Sequence, residues 1–372
     1  MLRILHVMGC SDAGGISSVV LNYDRFIDRE KIHFDIALTV PHEGQNSRAL
    51  EKLGAKIWFL PMKSQDPEGF RRELTRILTE GKYDGIHVHE SETCYVALKL
   101  AKKLGIPCRI AHAHTSSPYE GLKGEIRRLS GCLLNYPYAS HVIACGILAG
   151  NRVFGKYNMK RPGALVLPNA VDTEKFAFDP QIRAEMRREL GVENRLVLGM
   201  VGRLSEEKND LFPLKLLPEL KKKYPDIVLL MAGNGPEEEN IRGEIQRLGL
   251  EESVRLLGRR GDVPGLLQAF DIFLLPSLHE GFPVCAVEAL ASGLPVLLSD
   301  TITKELDFAR GLQYLPLEKP EVWISAVEPW IGDQGREQRQ HQVKEHGLDL
   351  RDCAGMLQKI YEEDCGRGEQ HG

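Results

Sequence analysis

Residues 272–300, IFLLPSLHEGFPVCAVEALASGLPVLLSD, hold a complete strand, loop, helix and strand within one short stretch. Ile272–Ser277 and Pro295–Asp300 are short apolar runs bounded by turn residues, the pattern of strands buried on both faces. Between them Pro283 stands where a first helical turn tolerates proline, and Gly293 stands where a helix stops. Two buried strands joined through a helix run parallel, so the stretch reads as one crossover of a parallel sheet.

The same alternation extends in both directions. Upstream strand candidates in the second half of the chain are Leu196–Gly202, Ile227–Gly233 and Val254–Arg259, and Leu312–Leu317 lies downstream. The first half supplies a second series: Arg3–Gly9, Phe34–Val40, Lys56–Pro61, Gly85–Glu90, Cys108–His114, His141–Gly146 and Ala164–Asn169. Two such series predict an α/β protein of two doubly wound, Rossmann-like domains facing across a cleft. Ligands of open parallel sheets sit outside the C-terminal strand ends, which would place the active site there.

The length of 372 residues also favours two cores over one. The segment 168–180, PNAVDTEKFAFDP, has two prolines and no sustained period, so the boundary is placed there, giving domains 1–170 and 171–348. Residues 349–372 read as a C-terminal helix, amphipathic through Met356, Leu357, Ile360 and Tyr361, expected to cross back onto the first domain.

Composition narrows the class. An apolar fraction of 42%, a charged fraction of 27% and a net charge of −4 describe an ordinary globular chain with no global attraction to nucleic acid. The eight cysteines are scattered, without a C-x-x-C pair or zinc-ligand spacing, which predicts free thiols in a reducing compartment. The start of the chain does not read as a signal peptide and no stretch reads as a membrane span, so a cytoplasmic address is expected.

The sequence contains no G-x-x-x-x-G-K-[ST], no complete G-x-G-x-x-G and no D-x-D. A bound diphosphate would have to be neutralised by side-chain cations and backbone N–H groups. Arg203 and Lys208, in GRLSEEKN (202–209), follow a buried strand and suit that task, Arg as a planar fork and Lys as a mobile point charge. The plainer reading is a solvated charged loop containing Glu206, Glu207 and Lys208. In the stretch quoted first, N–H groups of Gly281, Phe282 and Val284 would be free at a helix N-terminus, a ready anion site. Glu280 precedes that helix and Glu288 lies one and a half turns inside it, among Val287, Ala289 and Leu290, where an unpaired acid is costly. The alternative for Glu288 is a local ion pair.

The combination GRLSEEKN and HEGFPVCAVEALASGLPV closely resembles the family-4 retaining glycosyltransferases of the GT-B fold, especially bacterial exopolysaccharide and capsule enzymes. Supporting matches are Asp12–Ile16, His112–Thr115, Pro168–Asp172, Ala232–Pro236 and Leu298–Thr303. The resemblance implies that Arg203 and Lys208 bind the donor diphosphate, Glu288 the ribose and Glu280 the transferred sugar, with Gly281 and Phe282 completing those contacts. It also implies that the Gly14/Gly15 turn faces the diphosphate and acceptor, that Gly258 and Arg259 line the base pocket with Asn234 and Gly235 nearby, and that His114 contacts the donor sugar. His112, on the same face, competes for that role. Ala170 and His279 depart from common family residues, which leaves donor preference open.

The implied activity is transfer of a hexosyl or N-acetylhexosaminyl group from a nucleotide sugar, UDP-sugars favoured, to a saccharide or polyprenyl-diphosphate-linked acceptor. No cofactor and no divalent metal is expected. Lys99, Lys102, Lys103, Arg109, Lys123, Arg127 and Arg128, with Arg152, Lys156, Lys160 and Arg161, could form a basic patch for the anionic inner face of the plasma membrane, or a scattered solvated surface. The rival functions are a GT-B epimerase or phosphorylase, and a non-catalytic nucleotide-sugar-binding subunit.

Overall fold

The structure is a computed structural model that describes residues 1–9, 15–40, 44–90, 94–114 and 121–368. It divides into two compact units, Met1–Asn169 with Leu350–Gly372, and Ala170–Asp349. Each unit has its own parallel sheet.

The first unit contains β1 (Leu2–Met8), β2 (Ile32–Leu38), β3 (Ile57–Phe59), β4 (Gly85–Val88), β5 (Cys108–Ala113), β6 (His141–Ala144) and β7 (Ala164–Val166). Their order across the sheet is β3-β2-β1-β4-β5-β6-β7. Ile4, Leu5, Val7, Ile36, Ile86, Val88, Ile110 and Val142 are fully buried, because helices cover both faces and the strands carry aliphatic residues on each. Helix Leu350–Gly368 packs on this unit. Its Tyr361 is buried and meets Phe34 edge-on at 5.9 Å, Asp364 bonds His141 at 3.0 Å, and Gln358 accepts from the Asp28 N–H at 3.1 Å.

The second unit contains β8 (Val197–Val201), β9 (Val228–Ala232), β10 (Val254–Gly258), β11 (Ile272–Leu275), β12 (Val296–Ser299) and β13 (Leu312–Leu315), in the order β10-β9-β8-β11-β12-β13. Its core joins Leu198, Met200, Leu229, Met231, Leu274 and the fully buried Trp323. In both sheets the order reverses beside the first strand, β1 between β2 and β4, β8 between β9 and β11. That reversal opens a crevice at the C-terminal strand ends.

Every strand inferred from sequence is present, each ending one to three residues earlier than its apolar run. The trailing residues leave the ladder and become the loops that carry candidate site groups. No disulfide joins the seven described cysteines, and no described helix is long and apolar enough to cross a membrane.

Candidate active site

Four loops converge at the C-terminal edge of the second sheet because its strands all run parallel. They follow β8, β9, β10 and β11 and carry Arg203, then Asn234 and Gly235, then Arg259, then Glu280, Gly281 and Phe282; Gly258 closes β10. Backbone hydrogen bonds join them: Gly202 N to Ala232 O at 3.0 Å, Leu204 N to Asn234 O at 3.1 Å, Gly233 N to Gly258 O at 2.8 Å and Leu278 N to Glu207 O at 2.8 Å. Gly235 is required at this junction, since a Cβ there would lie 2.0 Å from the Leu204 carbonyl oxygen.

Lys208 reaches across this edge to Glu280. Its Nζ forms an ion pair with Glu280 Oε1, which also accepts from Ser277 Oγ at 2.9 Å. The Lys208 side chain is 23% exposed and that of Glu280 13%, so the pair is largely withdrawn from water. Burial opposes the Lys208 charge, but Cys285 and Glu280 outweigh it and hold its pKa at about 12. Burial pushes the Cys285 thiol itself up to about 12, so at neutral pH it is uncharged and Glu280 supplies the pairing.

Arg203 is exposed and has no hydrogen-bond or ion-pair partner among the described residues. The structure therefore brings Lys208 and Glu280 into contact and leaves Arg203 at the rim of the same loop. Asn209, in a left-handed conformation at φ 55°, donates from Nδ2 to Pro276 O at 3.1 Å and fastens the Lys208 turn to the Glu280 loop.

Helix Val284–Ala291 begins after Pro283. Among the described residues the Gly281 and Phe282 N–H groups have no acceptor. The Val284 N–H, expected free, instead donates to Phe282 O at 3.0 Å, because Pro283 folds the chain into a tight turn ahead of the helix. Glu288 lies on this helix with Ala286, Val287, Ala289 and Leu290 buried around it. Burial raises its pKa to about 7, with Lys175 the opposing charge. Lys208 favours ionisation of the Cys285 thiol, whereas Glu280 and Glu288 oppose it.

Sequence reading missed Ser277 and Asp210. Ser277 is fully buried, and its carbonyl accepts from Ser299 Oγ at 2.5 Å and Thr301 Oγ1 at 3.0 Å, fixing the loop that presents Glu280. Asp210 accepts from the Ser205 N–H at 2.9 Å, and burial lifts its pKa to about 6 against that bond and Lys208. A Ser and an Asp beside predicted charges were the available signals.

In the first unit, Gly15 opens helix Gly15–Phe26 at φ +57°, beyond the end of β1. Gly14 lies outside the described residues. His114 follows β5 and is partly exposed, whereas His112 is fully buried, so His114 has the better access. Arg109 leaves the basic set: its guanidinium donates to the Tyr138, Ile106 and Pro107 carbonyls.

Two doubly wound parallel sheets in one chain are the architecture of GT-B glycosyltransferases. Anabaena HepE in complex with UDP-glucose shares the fold at a TM-score of 0.72 and 21% identity, over 100% of this chain and 98% of that one. A glycosyltransferase from Rickettsia africae gives 0.81 at 16% identity, covering 98% of each chain.

The chain belongs to the family-4 glycosyltransferases. Residues 13–175 match the model for Glycosyltransferase Family 4, and residues 182–342 that for Glycosyl transferases group 1. A glycosyltransferase designated EpsF from Bacillus subtilis is 33% identical over 96% of each chain. An Escherichia coli UDP-Gal:alpha-D-GlcNAc-diphosphoundecaprenol alpha-1,3-galactosyltransferase is 29% identical over 80% of this chain and 79% of its own. The protein is a glycosyltransferase.

Proposed function

We propose that this enzyme transfers a sugar, with retention of anomeric configuration, from a nucleoside diphosphate donor, a UDP-sugar favoured, to a saccharide or lipid-diphosphate-linked acceptor in surface-glycan synthesis. The observation that carries the reading is the Lys208–Glu280 pair beside the unsatisfied Gly281 and Phe282 N–H groups. Within the chain Glu280 neutralises the lysine. A diphosphate entering the edge would share that ammonium with Glu280, while exposed Arg203 closes on its outer oxygens. Glu288 takes the ribose hydroxyls and Glu280 those of the transferred sugar.

The reaction follows from that placement. Positive charge develops at the anomeric carbon as the nucleoside diphosphate departs, and Lys208, Arg203 and the helix N-terminus stabilise the leaving oxygens. The acceptor hydroxyl attacks from the vacated face and its proton passes to the departing diphosphate. These cations do the work for which other enzymes use a divalent metal, so none is required.

The donor preference is supported by the UDP-Gal in the Escherichia coli relative's name and by the UDP-glucose complex of HepE. A lipid-linked acceptor is supported by the diphosphoundecaprenol of that relative and by helix Gly121–Leu134. Leu122, Ile126, Leu129 and Leu133 of this helix are exposed at helical spacing, Leu122 at 79%, beside exposed Lys123. Exposed Ile147 and Leu148 lie on a neighbouring helix that packs against it. An apolar stripe edged by basic residues suits an anionic membrane surface. A thermal-shift screen over UDP-, GDP-, ADP- and dTDP-sugars tests the donor site.

A further inference from the structure

The C-terminal helix Leu350–Gly368 is fixed to the first sheet by two polar anchors. Tyr361 Oη meets His87 Nδ1 on β4 at 2.6 Å, and Asp364 Oδ2 meets His141 Nδ1 on β6 at 3.0 Å. β5 runs between those two strands. The last turns of the helix therefore lie over β5, with their rotation and advance set from both sides. Cys365 follows Asp364, one turn beyond Tyr361, and Cys108 opens β5.

The two thiols meet there. Cys108 and Cys365 are joined by a side-chain hydrogen bond. Both sulfurs lie against the Asp84–Gly85 peptide: Cys365 Sγ donates to Asp84 O at 3.6 Å, and Gly85 pairs in register with Cys108. Gly85 leaves the room this takes, since a Cβ on it would lie 3.1 Å from Cys108 Cβ and 3.3 Å from its Sγ. Because the Cys365 proton goes to Asp84 O, the bond between the sulfurs is donated by Cys108. That bond, and then burial, raise the Cys108 pKa well above the usual thiol range, so Cys108 stays protonated at neutral pH.

The two sulfurs differ in access. Cys108 is 0% exposed and Cys365 8%. Cys365 also sits near the end of its helix, where backbone hydrogen bonds are the first to open. A small oxidant reaches Cys365 first and finds a second thiol already in contact with it.

We propose that Cys108 and Cys365 are a modification site, a thiol pair that hydrogen peroxide converts into an intramolecular disulfide stapling the C-terminal helix to β5. Cys365 Sγ gives up its proton and attacks one peroxide oxygen; the O–O bond breaks, water leaves and Cys365 becomes a sulfenic acid. Cys108 Sγ then attacks that sulfur. The S–S bond forms, the S–O bond breaks, and hydroxide leaves with the Cys108 proton as a second water. The two thiols together lose two electrons and the peroxide gains them. A dithiol reductant reverses the change by exchange. The bridge joins residues far apart in the chain, so it strongly restricts the unfolded state. The site lies wholly in the first unit, and it stands or falls apart from the donor reading.

Oxidation of the full-length protein tests this. The protein is treated with hydrogen peroxide, its remaining thiols are blocked with maleimide in denaturant, and a digest is read by mass spectrometry. A peptide pair linking Cys108 to Cys365 is expected, with Tm raised by roughly 5 °C or more and restored by dithiothreitol. Cys108→Ser should leave Cys365 as a sulfenic acid that dimedone captures, and Cys365→Ser should leave Cys108 unlabelled. Wild-type protein in which both thiols stay free, or in which Cys365 bridges elsewhere, overturns the proposal. So does a Cys108–Cys365 link no more abundant than in protein oxidised in urea, or one that leaves Tm unchanged. None of these four readings needs a variant to fold. Dimedone on Cys108 in the Cys365→Ser protein overturns the order of attack.

Discussion

Lys208 and Glu280, 72 residues apart in the chain, form an ion pair that joins the loop after β8 to the loop after β11. Removing one partner leaves the other charge poorly solvated. Lys208→Met alone, or Glu280→Gln alone, should destabilise the protein by roughly 1–3 kcal/mol. The double variant Lys208→Met/Glu280→Gln should recover most of that loss and still bind no donor. Chemical denaturation of all four proteins gives the cycle. A double variant as unstable as the sum of the singles would show that the two side chains do not act as a pair.

Glu288 gives the donor site a pH dependence. Its folded-state pKa is raised to about 7 by burial, so it is partly protonated at neutral pH. Ribose hydroxyls bond better to the carboxylate, so donor affinity should fall as pH drops through about 7 and level off above it. Titration calorimetry between about pH 5.5 and 8.5 reads this limb. Glu288→Gln should bind more weakly and with a flat profile; a limb of the same size in that variant assigns it to another group.

Membrane contact through helix Gly121–Leu134 predicts co-sedimentation with vesicles containing anionic lipid at low salt. Ile126→Glu with Leu133→Glu should abolish it while leaving the melting temperature within a few degrees, because both side chains face solvent. Equal sedimentation of wild type and variant would remove this surface from the account.

The fold was legible because the strands are short runs dominated by buried aliphatic residues, continuous in the second sheet's central strands. Val228–Ala232 reads VLLMA and Val296–Ser299 reads VLLS, patterns that no amphipathic helix gives. The strand ends were not legible, since residues such as Ser277 and His114 remain apolar-adjacent after the ladder stops. Arg203, Lys208, Glu280 and Glu288 were visible as loop and helix charges, but contact between Lys208 and Glu280 depends on which strands are neighbours. The Cys108–Cys365 contact was hidden for the same reason, since only the β4-β5-β6 order and a helix from the far end of the chain assemble it.

We propose that side-chain cations at the edge of the second sheet hold a nucleotide sugar without a metal. The most direct measurement is thermal shift with UDP-sugars in excess chelator, compared across wild type, Arg203→Ala and Lys208→Ala. The wild type should show a rise in Tm that chelator does not reduce, and each variant should lose most of that rise. Stabilisation that appears only with added divalent metal, or that survives intact in both variants, would contradict it.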